Sequence, residues 1–223
     1  MNIKQNLIII SAGKFAREVY TWVMQAIETN GLPWTVKGFL DNRQGILDGF
    51  TDYPSIVGTV NDYIPEVNDI FLCAIGDPQL KKRYCLEIIG KGGQLATFIH
   101  PTALVGKSVR IGEGSIICPF TQLSCDIQLG KAVTFGTLSS VGHDVVIGDW
   151  CLLSGHCGVG GNAILEEGVF LGGHTTVLPG ARVGAWSHVG PGSVFLRRVK
   201  SRTKVFGNPA VLIGYVDDAP VSE

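Results

Sequence analysis

The chain has 223 residues, 45% of them hydrophobic and 17% charged, with a mean hydropathy of +0.27, which excludes a disordered segment and supplies apolar side chains for a substantial core. Eighteen Lys and Arg against nineteen Asp and Glu leave a net charge of -1, which argues against a general nucleic-acid or anionic-membrane binder and for a small-molecule ligand. No apolar run approaches the roughly 18 residues of a membrane span, and the start has no small-residue cleavage site behind an apolar stretch, so a cytoplasmic protein with no membrane span is expected.

In chain order, the apolar run at residues 6–10 is followed by Ser11-Ala12-Gly13-Lys14-Phe15 and then by Val19, Tyr20, Val23, Ala26 and Ile27 at helical spacing. That pattern predicts a strand, a tight turn and a helix. Further strands are expected at residues 35–40, 70–75 and 95–99, with a helix over 78–90 that uses Pro78 in its first turn. The order βαββαβ predicts a small Rossmann-like parallel α/β domain over residues 1–100. In such sheets ligands lie beyond the carboxyl ends of the strands. The candidate substrate-binding residues are therefore Gly13, Lys14 and Phe15 in the first turn, Asp41 and Asn42 after the second strand, and Gly76 after the third. Backbone N–H groups at the turn suit a phosphate, and Asp41 suits a sugar or base donor. Gly13 alone holds its place in a glycine fingerprint, so spacing leaves a structural corner as the competing reading.

Beyond His100-Pro101-Thr102-Ala103 the chain becomes periodic. Every sixth residue from Val105 to Phe195 is Val, Ile, Leu or Phe, sixteen in succession, and two positions before each sits a small or β-branched side chain. Both columns are expected to point inward, which buries Cys151 and Cys157 as core filler. Glycine often follows the large apolar residue, as at Gly106, Gly142 and Gly172, where a turn with positive φ is expected. A short strand and a corner thus repeat every six residues, and three units close a coil. Only ten charged residues fall between Ala103 and Phe195, so much of the outer surface is expected to pack against other copies, as a homotrimer. None of the six cysteines forms a C-x-x-C pair, and no zinc or disulfide framework is expected.

The α/β domain, the unbroken hexapeptides, the tail Phe206-Gly207-Asn208-Pro209-Ala210 and above all Ser139-Ser140-Val141-Gly142-His143-Asp144-Val145-Val146-Ile147-Gly148 together resemble the sialic-acid O-acetyltransferase family. That family includes bacillosamine- and perosamine-type sugar N-acetyltransferases. The resemblance implies a left-handed parallel β-helix over residues 101–223, and so an α/β plus all-β chain. It also implies His143 as general base, Asp144 as the acid beside it, and acetyl-CoA as acyl donor in a groove between neighbouring β-helices of a trimer. The first domain would hold the nucleotide of a nucleotide-linked amino sugar, a 4-amino-4,6-dideoxyhexose destined for surface glycan. Gly161 and Gly173 are the expected backbone contacts to the donor, with no metal required. Ser11 and Lys14 replace glycines of the family turn, Leu152 stands where the bacillosamine enzyme has a second histidine, and Gly136 stands for an asparagine. A sugar hydroxyl would use the same residues, so sialic-acid-type O-acetylation is the alternative.

Two other classes compete. A trimer that binds acetyl-CoA or sugar without turnover is suggested by Leu152, Ser11 and Lys14. A zinc hydratase is suggested by His156 and His174, which are 18 residues apart and so one coil apart. His100 is expected in the linker and His188 toward solvent or the donor. The cluster Arg197, Arg198, Lys200, Arg202 and Lys204, expected just past the last coil, could meet coenzyme A phosphates.

Overall fold

The structure, a computed structural model, describes residues 4–195 and 197–217, so residues 1–3 and 218–223 at the outer ends of the two expected domains lie outside the described residues. The first part comprises β1 (Gln5–Ile10), α1 (Lys14–Asn30), β2 (Trp34–Leu40), β3 (Ile56–Gly58), β4 (Asp69–Cys73), α2 (Pro78–Gly90) and β5 (Gln94–Leu95). These strands form one parallel sheet in the order β3-β2-β1-β4-β5. β1 is central and its two faces are both buried, which is why it reads as a continuous apolar run. Leu7 and Ile9 pack with Ala16, Val19 and Val23 of α1, while Ile8 and Ile10 pack with Tyr84, Cys85 and Ile88 of α2. Helices on both faces give the three layers that the pattern predicts.

Two details differ from the sequence reading. The edge strand β3 is additional; it is three residues long and follows a polar stretch containing Pro54, which leaves no periodic signal. The expected strand at 95–99 is two strands. Ala96 N–H donates to Phe71 O of β4 at 2.8 Å, whereas Phe98 N–H donates to Ser115 O at 2.9 Å, so the chain changes sheets within two residues while its side chains stay apolar.

From Phe98 to Gly207 the chain winds as a three-sided parallel β-helix. Its first sheet contains the strands from Leu104–Val105 to Val194–Phe195, its second those from Arg110–Ile111 to Arg198–Val199, and its third those from Phe98–Ile99 to Thr203–Gly207. Strands pair 18 residues apart, as Leu123 with Val141 and Ile147 with Leu165. The large apolar column, with the cysteines, small residues and valines two positions before it, fills a single axial core. After Phe195 the advance shortens, because Val183 pairs with Val199. The coil therefore continues through Thr203–Gly207 and is closed by the antiparallel strand Ala210–Tyr215. The basic cluster thus belongs to the last coil instead of lying beyond it.

The glycines after the apolar column do not turn the chain. Positive φ falls two residues later, at Ser108, Asp126, Ala132, Leu138, Asp144, Trp150, His156, Asn162 and His174. What excludes a side chain at Gly142 or Gly172 is the next coil: a Cβ would lie 2.6 Å from the backbone nitrogen of Gly161 or of Pro191.

The α/β part sits on the third sheet and its edges. Ile116 and Cys118 join the α1 side of the core, and Ala132 and Trp150 join the α2 side. Lys82 pairs with Glu167 at 2.7 Å, and its ammonium lies 5.1 Å from the Trp186 ring. Lys81 is fully buried and donates to Thr134 Oγ1 at 3.2 Å and to Cys151 O at 3.1 Å.

Candidate active site

At the carboxyl ends of β1, β2 and β4 lies a cavity of about 280 Å³ that brings together Gly13, Lys14, Phe15, Asp41, Asn42 and Gly76, with Ser11, Arg43, Asp77 and Tyr84. The β1–β4 boundary is where the connections part to opposite faces, and a crevice opens there. Gly13 caps α1 without a side-chain bond, leaving the first helical N–H groups directed at the cavity. Ser11 adopts φ +83°, and its Oγ accepts from Gly13 N–H at 3.1 Å. A hydroxyl therefore covers one donor that a glycine at position 11 would leave open.

Asp41 is fully engaged within the protein. Ala12 N–H donates to Oδ2 at 2.7 Å, Arg43 Nη2 donates to Oδ2 at 2.6 Å, and Arg43 N–H and Nε donate to Oδ1 at 3.0 and 2.9 Å. Burial alone would raise its pKa, but the Arg43 guanidinium and these N–H donors hold it below the usual carboxylate range. What Asp41 presents to the cavity is the Arg43 side chain that it orients. Asn42 Nδ2 donates to Tyr84 OH at 3.1 Å and tethers the same loop to α2.

A second cavity, about 310 Å³, adjoins the first across Phe15 and Gly76 and separates α1 from the third sheet. Glu18 and Trp22 line it from α1, and Thr134, Thr137, Leu152, Ser154, Gly155 and Phe170 line it from the β-helix. Sequence reasoning missed Glu18, Trp22, Thr134 and Phe170, because nothing in a strand–turn–helix pattern says which distant surface that helix will face.

His143 and Asp144 lie elsewhere. They follow the first-sheet strand Ser140–Val141, so they occupy the edge between the first and second sheets, opposite the sheet that carries the α/β part. His143 Nδ1 is 2.8 Å from Asp144 Oδ2, and both side chains are more than half exposed. With Nδ1–H donating to the carboxylate, Nε2 is the open acceptor. It faces Gly161 one coil on, where a Cβ would stand 2.7 Å from Nε2. Gly161 N–H has no acceptor among the described residues, and neither has that of Gly173. Gly173 lies on a different edge, between the third and first sheets, next to His174.

The remaining histidines have protein neighbours. His156 and His174 stack face to face, with centroids 4.5 Å apart and planes 6° apart, and no metal-binding group is found among the described residues. His100 Nδ1 is 2.8 Å from Thr102 Oγ1. His188 lies 4.6 Å from the Phe170 ring on the third sheet, and burial lowers its pKa, so it faces the α/β part and not open solvent. Burial pushes the Cys151 thiol up to about 12 and Cys157 to about 11, which removes them as nucleophiles near neutral pH. Arg197, Arg198 and Lys200 line a cavity of about 690 Å³ at the closing end of the helix with Phe195, Pro209, Leu212 and Tyr215.

Residues 6–88 match the family model described as the PglD N-terminal domain. The GDP-perosamine N-acetyltransferase of Escherichia coli O157:H7 is 26% identical over 209 residues, covering 91% of this chain and 93% of that protein. The structure of PerB from Caulobacter crescentus, solved with CoA and GDP-perosamine, superposes with a TM-score of 0.82 at 28% identity, over 94% of this chain and 97% of that one. The acetyltransferase domain of PglB from Neisseria gonorrhoeae has a TM-score of 0.84 at 23% identity, over 94% of this chain and all of that one, and shows the fold. Other curated acyltransferases match over 50% and 54% of this chain, and the chain spans less than half of their length.

A Rossmann-like parallel α/β domain on a left-handed parallel β-helix is the architecture of a hexapeptide-repeat acyltransferase. Within that class the chain is similar over nearly its whole length to GDP-perosamine N-acetyltransferases, and its residues 6–88 match the PglD N-terminal domain.

Proposed function

We propose that this chain transfers the acetyl group of acetyl-CoA to the 4-amino group of a nucleotide-linked 4-amino-4,6-dideoxyhexose, as a step in surface glycan assembly, and that it does so as a homotrimer in the cytoplasm. The observation that carries this reading is the His143–Asp144 pair, whose open Nε2 faces a side-chain-free Gly161. The sugar amine attacks the thioester carbonyl while Nε2 takes its proton, and Asp144 supports the resulting imidazolium. Gly161 N–H is the candidate donor to the tetrahedral oxyanion. Collapse expels the CoA thiolate, which recovers the proton from the imidazolium, so the products are the amide and free CoA thiol.

The diphosphate falls to the first cavity, where the α1 N-terminus, Lys14 and Arg43 supply donors and positive charge. The sugar then enters the second cavity across Phe15 and Gly76. Since His143 lies on the edge away from both cavities of its own chain, the reacting base at each site is His143 of the partner subunit. In the same arrangement one acetyl-CoA runs between the Gly161 edge of one copy and the Gly173 edge of the next. Exposed Leu104, Phe120, Leu138 and Val146 on the β-helix supply apolar surface for that contact.

Thiol release from acetyl-CoA in the presence of UDP-, dTDP- and GDP-linked 4-amino sugars, with free sialic acid alongside, tests this reading. One amino sugar is expected to support release, and His143→Ala to lower turnover by roughly 100-fold or more while acetyl-CoA still binds. Release with sialic acid alone would favour O-acetylation, and donor binding without release a silent groove.

A further inference from the structure

The two adjoining cavities differ in the charged side chains that line them. Lys14, Arg43, Asp41 and Asp77 line the first, where Arg43 is paired with Asp41 and Asp77 accepts from Leu80 N–H at the start of α2. Among the described residues Glu18 is the sole ionisable side chain lining the second, whose other walls include the rings of Phe15, Trp22 and Phe170, the side chain of Leu152, and the hydroxyls of Thr134, Thr137 and Ser154. Glu18 is exposed and makes no hydrogen bond or ion pair among the described residues. It stands four residues after Lys14 on α1, a spacing at which the two could pair, yet each lines its own cavity. Four residues of helix rise about 6 Å, a length comparable to one pyranose from its anomeric oxygen to its C4 substituent.

We propose that Glu18 is the specificity-determining residue for the acceptor: its carboxylate receives the cationic 4-ammonium of the incoming sugar, while Trp22 walls the apolar side of the ring. Helix α1 then presents a cation at its first turn and an anion one turn on, the complement of the charge order of a nucleoside diphosphate joined to an amino sugar. A 4-hydroxyl sugar offers the Glu18 carboxylate a neutral donor in place of a cation, a weaker hydrogen bond, and is disfavoured. The ammonium releases one proton to solvent before the neutral amine attacks and gives its second to Nε2; Glu18 takes neither, and it selects an amine over a hydroxyl. This rests on the N-acetyltransferase reading above and names the residue that makes it nitrogen-specific.

The test compares wild type, Glu18→Gln and Glu18→Asp in the full chain. Each is titrated calorimetrically with UDP-, dTDP- and GDP-linked 4-amino-4,6-dideoxyhexoses and with the matching 6-deoxyhexoses that carry a 4-hydroxyl; thiol release and melting temperature are followed in parallel. Glu18→Gln is expected to weaken amino-sugar binding and raise its KM by about 10- to 100-fold, the usual worth of a charge-assisted hydrogen bond, with hydroxyl-sugar affinity and the KM for acetyl-CoA changed less than about twofold. Glu18→Asp is expected to keep part of the preference. If wild type acetylates an amino sugar and Glu18→Gln keeps the full preference, or loses both ligands alike, the role of Glu18 is overturned while the N-acetyltransferase reading stands. If wild type binds neither sugar class, or prefers the hydroxyl sugars, that reading falls and this inference with it.

Discussion

Gly161 has no side chain at the point where the open nitrogen of His143 needs room. A methyl group there would sit 2.7 Å from Nε2, inside van der Waals contact, so the imidazole or the coil corner would have to move. Gly161→Ala is expected to lower kcat by roughly 10- to 100-fold, because a displaced base no longer reaches the amine proton, while the melting temperature stays close to wild type. Thiol release and a thermal melt check both halves of that expectation. Residue identity was legible here for a simple reason. The His143–Asp144 pair and Gly161 are set by neighbours in sequence and by an 18-residue step, both visible in the chain. Asp41 shows the opposite case: its position after β2 was legible, but its saturation by Ala12 and Arg43 depends on how two loops meet.

At the scale of elements, α2 is pinned to the β-helix by a buried cation. Burial lowers the Lys81 pKa to about 8, because its ammonium has exchanged water for one hydroxyl and one carbonyl. An unfolded lysine titrates near 10.4, so between about pH 8 and 10.4 the unfolded chain holds more protons than the folded one, and the Lys81 contribution to stability rises with pH through that window. Chemical denaturation of wild type and Lys81→Met at pH 7 and at pH 10 isolates this contribution, since other groups cancel. The difference is expected to shift toward wild type by roughly 2 kcal/mol at the higher pH. A pH-independent difference would mean that Lys81 holds as many protons folded as unfolded, its pKa unshifted by burial. Nothing in the sequence singles out Lys81 among the lysines of an amphipathic helix, since its burial is a product of docking. The corner column shows the same dependence. Gly168 lies between Trp150 and Trp186 because a Cβ at that position would collide with the Trp186 ring, and those tryptophans face the α/β part.

At the scale of the whole molecule, the two halves of the proposed site lie on opposite sides of one chain. Lys14, Arg43 and Glu18 are on the third-sheet side, and His143 is on the edge away from it. Two variants damaged in different halves should therefore complement each other. Co-expressed His143→Ala and Gly76→Trp chains, each inactive alone, are expected to recover thiol-release activity in mixed trimers, because some interfaces then pair an intact cavity with an intact histidine. Failure to recover activity in trimers shown by mass to be mixed would place the site within one chain. By itself, the sequence determined the elements and the coil: period-six hydrophobicity, the apolar run of β1 and the His143–Asp144 pair all act over short or strictly repeated distances. Only the tertiary structure decided that strand pairing continues past Phe195, that Phe98 belongs to the β-helix, and that Glu18 opens into a cavity next to the one lined by Lys14. Those facts depend on which surfaces dock, and docking is settled by shape and burial between residues far apart in the chain, for which a linear pattern carries no signal.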